Sequence, residues 1–357
     1  MRTLRRYLAR EIYLATAFVM VAFLALFAFF DLVSELRDVG RSTYRLAQAF
    51  IFVGLSLPGH VYELFPIAAL IGTLYVLARL AANSEFAVMR TAGLSPLQAG
   101  VALVRIGAVF VVLTVLVGEL LTPAAASMAQ RLRLVALGAG AGQELRSGVW
   151  VRSGQSFINV RTVHGDSTIA EILIYDFATD GRLASISQAE AGSYMGENRW
   201  RLTGVVETEL MPEGARLTRE PERVWHSVLT PDVLTVLAVD PQKMSGFDLF
   251  QYSRHLARNH QSSVRYDIAL WQKLSYPVSA LVMMALALPF GYLNVRHGGL
   301  GAKIFAGIML GVLFYGMNTM FGYVGVLERW PAALSAWVPS VLFFLTAVIM
   351  MWRIERR

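Results

Sequence analysis

The residues best able to do chemistry in this chain are few and widely spaced. Phosphate transfer at a P-loop needs GxxxxGK followed by Ser or Thr, so that backbone amides and a lysine hold the phosphates. The three lysines, Lys243, Lys273 and Lys303, each follow a residue other than glycine, so the sequence carries no such loop. The six histidines, His60, His164, His226, His255, His260 and His297, are scattered without HExxH spacing, and there is no cysteine. A zinc site or a hydrolase triad therefore has no motif behind it, and no cofactor or metal is expected on this chain.

The segment Asn83 to Pro96 (NSEFAVMRTAGLSP) is more informative. Asn83 or Ser84 can cap a helix, and Glu85 falls in its first turn, where the helix dipole favours a carboxylate. Phe86, Val88 and Met89 are apolar, Arg90 adds a cation, and Gly93 can end the helix. A short helix with apolar groups and one carboxylate, set between two long apolar runs, has two readings. It lies on lipid as an interfacial helix, or it docks as a coupling helix into a groove of a separate ATPase, with Glu85 as charged anchor.

Ionisable groups inside apolar runs are expensive and are functional suspects by default. Glu63 and Glu119 fall in or near such runs. For Glu63, beside Phe65 and Pro66, an interfacial position near the outer end of its run is favoured. Arg133 is expected just beyond the outer end of the third run and Lys303 at the start of the fifth, where snorkelling to headgroups is the ordinary role. Gly307 and Gly311 form a GxxxG, which lets helices pack closely and suits a face that meets a partner helix and separates from it.

These residues need elements to carry them. Of the 357 residues 55% are apolar and only 16% charged, with a net charge of +7, which points to a membrane protein. Six runs are long enough to cross about 30 Å of hydrocarbon. They are 12–30, 46–78, 99–121, 274–295, 304–327 and 330–352. Pro58 and Pro66 are expected to kink the second. Arg2, Arg5, Arg6 and Arg10 at one end and Arg353, Arg356 and Arg357 at the other place both termini in the cytoplasm. The middle region, 135–265, then lies outside. It carries 13 basic and 15 acidic residues, so the basic excess belongs to the flanks and nucleic-acid binding is disfavoured. Its pattern has a period of two residues, with strand-like runs at 157–160, 171–177, 183–188, 200–210 and 222–229 separated by turn signals. An all-β sandwich or jelly roll is expected, followed by a polar helix over 248–260. The domain division is 1–134 (spans one to three with a coupling helix at 83–96), 135–265 (β domain and following helix) and 266–357 (spans four to six).

The motifs FP-x-AALIG at Phe65–Gly72 and SEFAVMRTAG at Ser84–Gly93 sit within this frame of three spans, a β domain and three spans. So does the tail Leu229-Thr-Pro-Asp232 through Val239-Asp-Pro241. Together they resemble the lipopolysaccharide-export permease family LptF/LptG over essentially the whole chain, and more its LptG branch. That resemblance implies a non-catalytic permease subunit in the inner membrane of a Gram-negative bacterium. Its partners would be an LptF-like sister permease, an LptB-like ATPase dimer that holds ATP and Mg, an LptC-like membrane-anchored jelly roll and an LptA-like bridge. The cargo would be lipopolysaccharide. It implies an ATPase-coupling set of Glu85, Phe86, Met89 and Arg90. Arg37, Arg133 and Lys303 would line the cavity and meet lipid A phosphates, and Gly307 and Gly311 would pack at a lateral gate. One position that is basic in the family, near the end of span one, is Asp31 here. Two alternatives are a mechanotransmitting ABC permease that moves no lipid through its own cavity, and a membrane-anchored scaffold whose β domain recruits partners.

Overall fold

Among the described residues of the computed structural model, six helices are long and apolar enough to cross a bilayer. Residues 2–41, 43–91, 93, 96–137, 149–163, 168–178, 180–196, 199–211, 214–227, 241–258, 262–292, 300–328 and 330–356 are described. Helix α1 spans Arg2–Glu35 and α2 spans Leu46–Ala82; the short α3 is Glu85–Thr91. Helix α4, Pro96–Leu116, continues through a π turn, Val117–Leu121, into α5, Thr122–Leu137. After the β region come a 3-10 turn, Pro241–Lys243, and α6, Gly246–Arg258. The last three spans are α7 (Val264–Tyr292), α8 (Leu300–Leu327) and α9 (Ala332–Glu355).

Helix α2 is the centre of the bundle. It is apolar on all sides, which suits a helix enclosed by others, and its most apolar window is 83% buried, against 17% for α1 and 22% for α8. Leu70, Leu74, Leu77 and Leu80 are fully enclosed. Pro58 and Pro66 both lie inside this one helix. Each removes a backbone donor from the helix, and Thr122 Oγ1 of α5 donates to Pro58 O at 3.1 Å, tying the two helices there. Gly72 lets α1 come close: a Cβ there would lie 2.7 Å from the backbone N and Cα of Thr16.

The third span is longer than its apolar run. The helix goes on past Leu121 to Leu137, so Arg133 lies within helix α5 and not beyond the span's end. The expected domain boundary at 134/135 therefore falls inside a helix, while α7 starts two residues ahead of the boundary at 266.

The β region is a six-stranded antiparallel sheet whose strands pair in chain order. The strands are β1 Val149–Ser153, β2 Ser156–Val163, β3 Thr168–Phe177, β4 Leu183–Gly196, β5 Arg199–Met211 and β6 Gly214–His226. The five strand-like runs correspond to β2 through β6. The period of two delivers one apolar face, built from Ile158, Val160, Ile172, Trp200, Leu202 and Val205 among others. The tail motif at 229–241 lies, except for Pro241, outside the described residues. The polar helix expected over 248–260 is α6.

Strand β6 is an edge in this sheet, and charges line it. Arg223 Nη2 donates to Glu207 Oε2 at 2.5 Å across to β5, and Arg223 Nε to Glu220 Oε2 at 2.8 Å along β6. The guanidinium holds the Glu220 carboxyl below its ordinary range, and the two carboxylates raise the arginine in turn. A depressed carboxyl stabilises the fold above its unfolded pKa, about 4.3, and that contribution fades as pH falls through the folded value. The Glu220 titration midpoint should therefore rise in Arg223→Gln, followed by site-specific carboxyl labelling; an unchanged midpoint would show that the pair does not interact in solution.

Candidate functional site

At one end of the bundle, α3 connects spans two and three. Ser84 enters the helix with a left-handed φ of 59°, and Gly93 leaves it with φ 94°. Asn83 Nδ2 donates to Glu85 Oε1 at 3.4 Å, and Ser84 O accepts from Val88 N at 3.1 Å. The other carboxylate oxygen, Glu85 Oε2, accepts from Tyr7 Oη at 3.3 Å. The first turns of α1 are thus tied to α3, and nearby Arg79 of α2 pairs with Glu11 of α1.

The seven-residue α3 turns its apolar groups two ways. Met89 packs half-buried against the main membrane core, so it is not an outward docking group as expected. Val88 faces outward and is 64% exposed. The backbone of Phe86 and Arg90 is part of α3, while their side chains lie outside the described part of the structure. Of the two members of the expected coupling set whose side chains are described, Glu85 and Met89, the glutamate is partly exposed and carries the charge.

The opposite end of α1 and α2 carries a charged corner. Arg37 is exposed in the turn after α1. Arg133 of α5 donates from Nη2 to Asp38 Oδ2 at 3.0 Å, and its Nη1 lies 3.9 Å from Glu35 Oε1. Its guanidinium also lies over the Phe52 ring. Tyr44 Oη donates to the buried Glu35 at 2.7 Å, and burial together with that bond pushes the Tyr44 hydroxyl well up. A cavity of about 220 Å³ opens between α2, α5 and the 3-10 turn, with Arg133, Lys243, Gln130 and Ser56 in its wall. Asp31, the departure from the family pattern, is met by His60 Nε2 at 2.7 Å.

Lys303 does not join this corner. Its Nζ donates to Phe290 O at 3.3 Å, near the end of α7. Helix α8 runs beside α2 so that Gly307 faces Leu74 and Gly311 faces Ile67, which puts Lys303 at the level of Arg79. Arg133 sits at Phe52, and from Phe52 to Arg79 is about 40 Å of helix. The structure sets Arg133 against Asp38, the residue after Arg37, and separates Lys303 from that corner.

The glycine motif is likewise turned inward. A Cβ at Gly311 would come within 2.7 Å of Ile67 Cγ2, and one at Gly307 within 3.1 Å of Leu74 Cδ1. Gly307 and Gly311 therefore seat α8 on α2 of the same chain and do not present a face to a partner. The outward face of α8 is large and apolar, with Phe305, Met309, Val312 and Tyr323 exposed, and α1 exposes Phe18, Phe29 and Phe30. Among the residues that sequence reasoning missed, Tyr7, Glu11, Arg79 and Lys243 stand out. No local signal marks the ties of Tyr7 or Glu11, because their partners are 78 and 68 residues away.

A bundle of six membrane-length helices, divided by an inserted antiparallel β sheet and leaving two broad apolar flanks, defines a polytopic membrane protein with a β domain between its third and fourth spans. Residues 6–353 match the family Lipopolysaccharide export system permease LptF/LptG. The chain is 34% identical to LptG of Haemophilus influenzae over 356 residues, 99% of both chains. It is 31% identical to LptG of Escherichia coli over 99% of this chain and 98% of that one. The chain belongs to the LptF/LptG family of lipopolysaccharide export permeases, as an inner-membrane permease subunit.

Gly311→Leu should therefore loosen α8 from α2, lowering stability by about 1–3 kcal/mol through overpacking. Gly316→Leu, with open space around it, should be neutral. Thermal unfolding of the purified protein in detergent checks this; equal effects would mean that the GxxxG face is not seated on α2.

Proposed function

We propose that this chain is half of the membrane unit of a lipopolysaccharide exporter. It pairs with an LptF-like sister permease above an LptB-like ATPase dimer. It takes lipopolysaccharide from the outer leaflet of the inner membrane and passes it, by way of its β domain, to LptC-like and LptA-like jelly rolls. Both termini and α3 face the cytoplasm, and the β domain faces the periplasm. ATP and Mg belong to the ATPase. The support is the full-length likeness to LptG proteins together with the basic flanks at both chain ends.

The observation that carries the coupling part of the reading is the placement of Glu85. Pulling several acyl chains from a bilayer costs about 0.8 kcal/mol per CH₂, and the sequence has no P-loop, so energy must arrive through another chain. A half-exposed carboxylate on a short helix between two spans is a handle for such a chain. Because Tyr7 of α1 holds the same carboxylate, a push on α3 reaches the span with the most exposed flank. Glu85→Lys is expected to lower lipopolysaccharide-stimulated ATP turnover of the assembled complex by at least about tenfold, since reversing an interfacial charge costs several kcal/mol. Unchanged turnover and unchanged co-purification of the ATPase would remove this role and favour a scaffold.

For the cargo, the corner formed by Arg37 and Arg133 is the phosphate contact, at the periplasmic level where lipid A headgroups lie. Arg37 is the more available of the two, because carboxylates already hold Arg133. Lys303 belongs to the cytoplasmic end and ties α8 to α7. In photo-crosslinking from a probe beside the corner, Arg37→Glu is expected to reduce lipopolysaccharide capture while Lys303→Met leaves it unchanged. Equal loss in both variants would return Lys303 to the contact set.

A further inference from the structure

Glu119 has no part in the reading above, yet it is held from two sides. It sits in the π turn Val117–Leu121 that joins α4 to α5. Such turns are uncommon and cluster at functional positions. Lys273 of α7 donates from Nζ to Gly118 O at 2.7 Å, inside the same turn, and lies 3.6 Å from Glu119 Oε1. The lysine side chain is only 6% exposed and lies over the Tyr62 ring of α2. Tyr62 in turn stacks on Tyr276, whose hydroxyl donates to Glu63 O at 2.6 Å.

The second carboxylate oxygen reaches a different part of the chain. Glu119 Oε2 accepts the backbone N–H of Gly246 at 2.7 Å. Gly246 opens α6, the helix that follows the β region. A Cβ at Gly246 would stand 3.2 Å from that oxygen, so the carboxylate rests directly on the first turn. Ser245 already caps α6 by accepting from Asp248 N at 3.1 Å, so Glu119 satisfies a separate donor. The far end of α6 is fastened to α7: Ser253 and Ser263 both donate to Asp267, and Tyr252 packs edge-on against Tyr266. The helix that leads the chain back from the β domain is therefore pinned at its start to span three and along its length to span four.

Charges at such a place are costly, and an apolar contact would hold helices together as well. What the ion pair adds is direction: one carboxylate addresses a lysine on one element and a helix start on another. We propose that Glu119 and Lys273 are positioning residues for lipid hand-over, which lock α6 onto spans three and four so that the β domain and the membrane helices move as one body. This rests on the permease reading above.

The test uses the full complex in proteoliposomes with a purified β-jelly-roll acceptor, and reads lipopolysaccharide delivered per ATP hydrolysed, basal ATP hydrolysis and complex yield. Glu119→Ala should lower delivery per ATP by about tenfold, within the range of coupling between distant sites, with yield and basal hydrolysis unchanged. Glu119→Gln, which keeps an acceptor for Gly246 N–H, should recover most of the loss. Gly246→Val keeps both charges but pushes the carboxylate off its seat, and should reproduce the Glu119→Ala defect. Wild-type delivery per ATP in Glu119→Ala or in Gly246→Val overturns the proposal. So does a fall in yield and basal hydrolysis that parallels the fall in delivery, since that marks a merely structural tie. If the wild-type complex hydrolyses ATP and delivers no lipopolysaccharide, it is the permease reading that fails.

Discussion

Lipid tails are as apolar as leucine, so no apolar helix gains by leaving them for another apolar helix. What holds this bundle together is close approach and a small number of polar ties. Helix α2 shows both. Gly72 admits α1 to within contact of its backbone, and Gly311 of α8 admits Ile67 of α2. At one end Arg79 pairs with Glu11, and toward the other His60 meets Asp31. Each tie fastens a peripheral helix to the central one at a defined height, and a shifted register would leave a charge without its partner.

The same economy leaves two helices lightly held. Helix α1 rests on α2 along one narrow face, and its other sides carry exposed Leu14, Phe18, Val21 and Phe29. Helix α8 uses its glycines against α2 and turns Phe305, Met309, Val312 and Tyr323 outward. A helix with one seated face and one free face can exchange lipid for a neighbour with little penalty, because both are apolar. That property lies in the first span of the first triplet and the middle span of the second.

Much of this was legible in residue order. Six apolar runs became six spans, and alternation with turn signals delivered five of the six strands. The segment after Ala82 became a helix whose start and end fall at Ser84 and Gly93. The rest was not legible because periodicity reports a face and never a neighbour. Gly307 and Gly311 lie on one stripe in any helix, yet only the seating of α8 decides whether that stripe meets Ile67 or a sister chain. Met89 is apolar in either environment, and the packing of α3 turned it inward. Lys303 and Arg133 are both cations near helix ends; the order of the spans already sets them at opposite ends of the bundle, and the seating of α8 on α2 gives the height.

Charge placement ties these points together. Apolar surface says little about which end of a bundle is which, whereas each ionisable group must be either paired or within reach of water. Among the described residues, ion pairs join membrane segments at several heights: Glu11 with Arg79, Asp31 with His60, Glu119 with Lys273, and Asp38 with Arg133. All join segments well apart in sequence, and the Glu119–Lys273 pair ties the first triplet of spans to the second. Arg37 stands apart from this scheme: it is exposed at the corner where its neighbour Asp38 is already met by Arg133 and Arg41. The carboxylates around it are engaged, Glu35 by Tyr44 and Asp31 by His60, so the rule that pairs the buried charges leaves this cation at the surface.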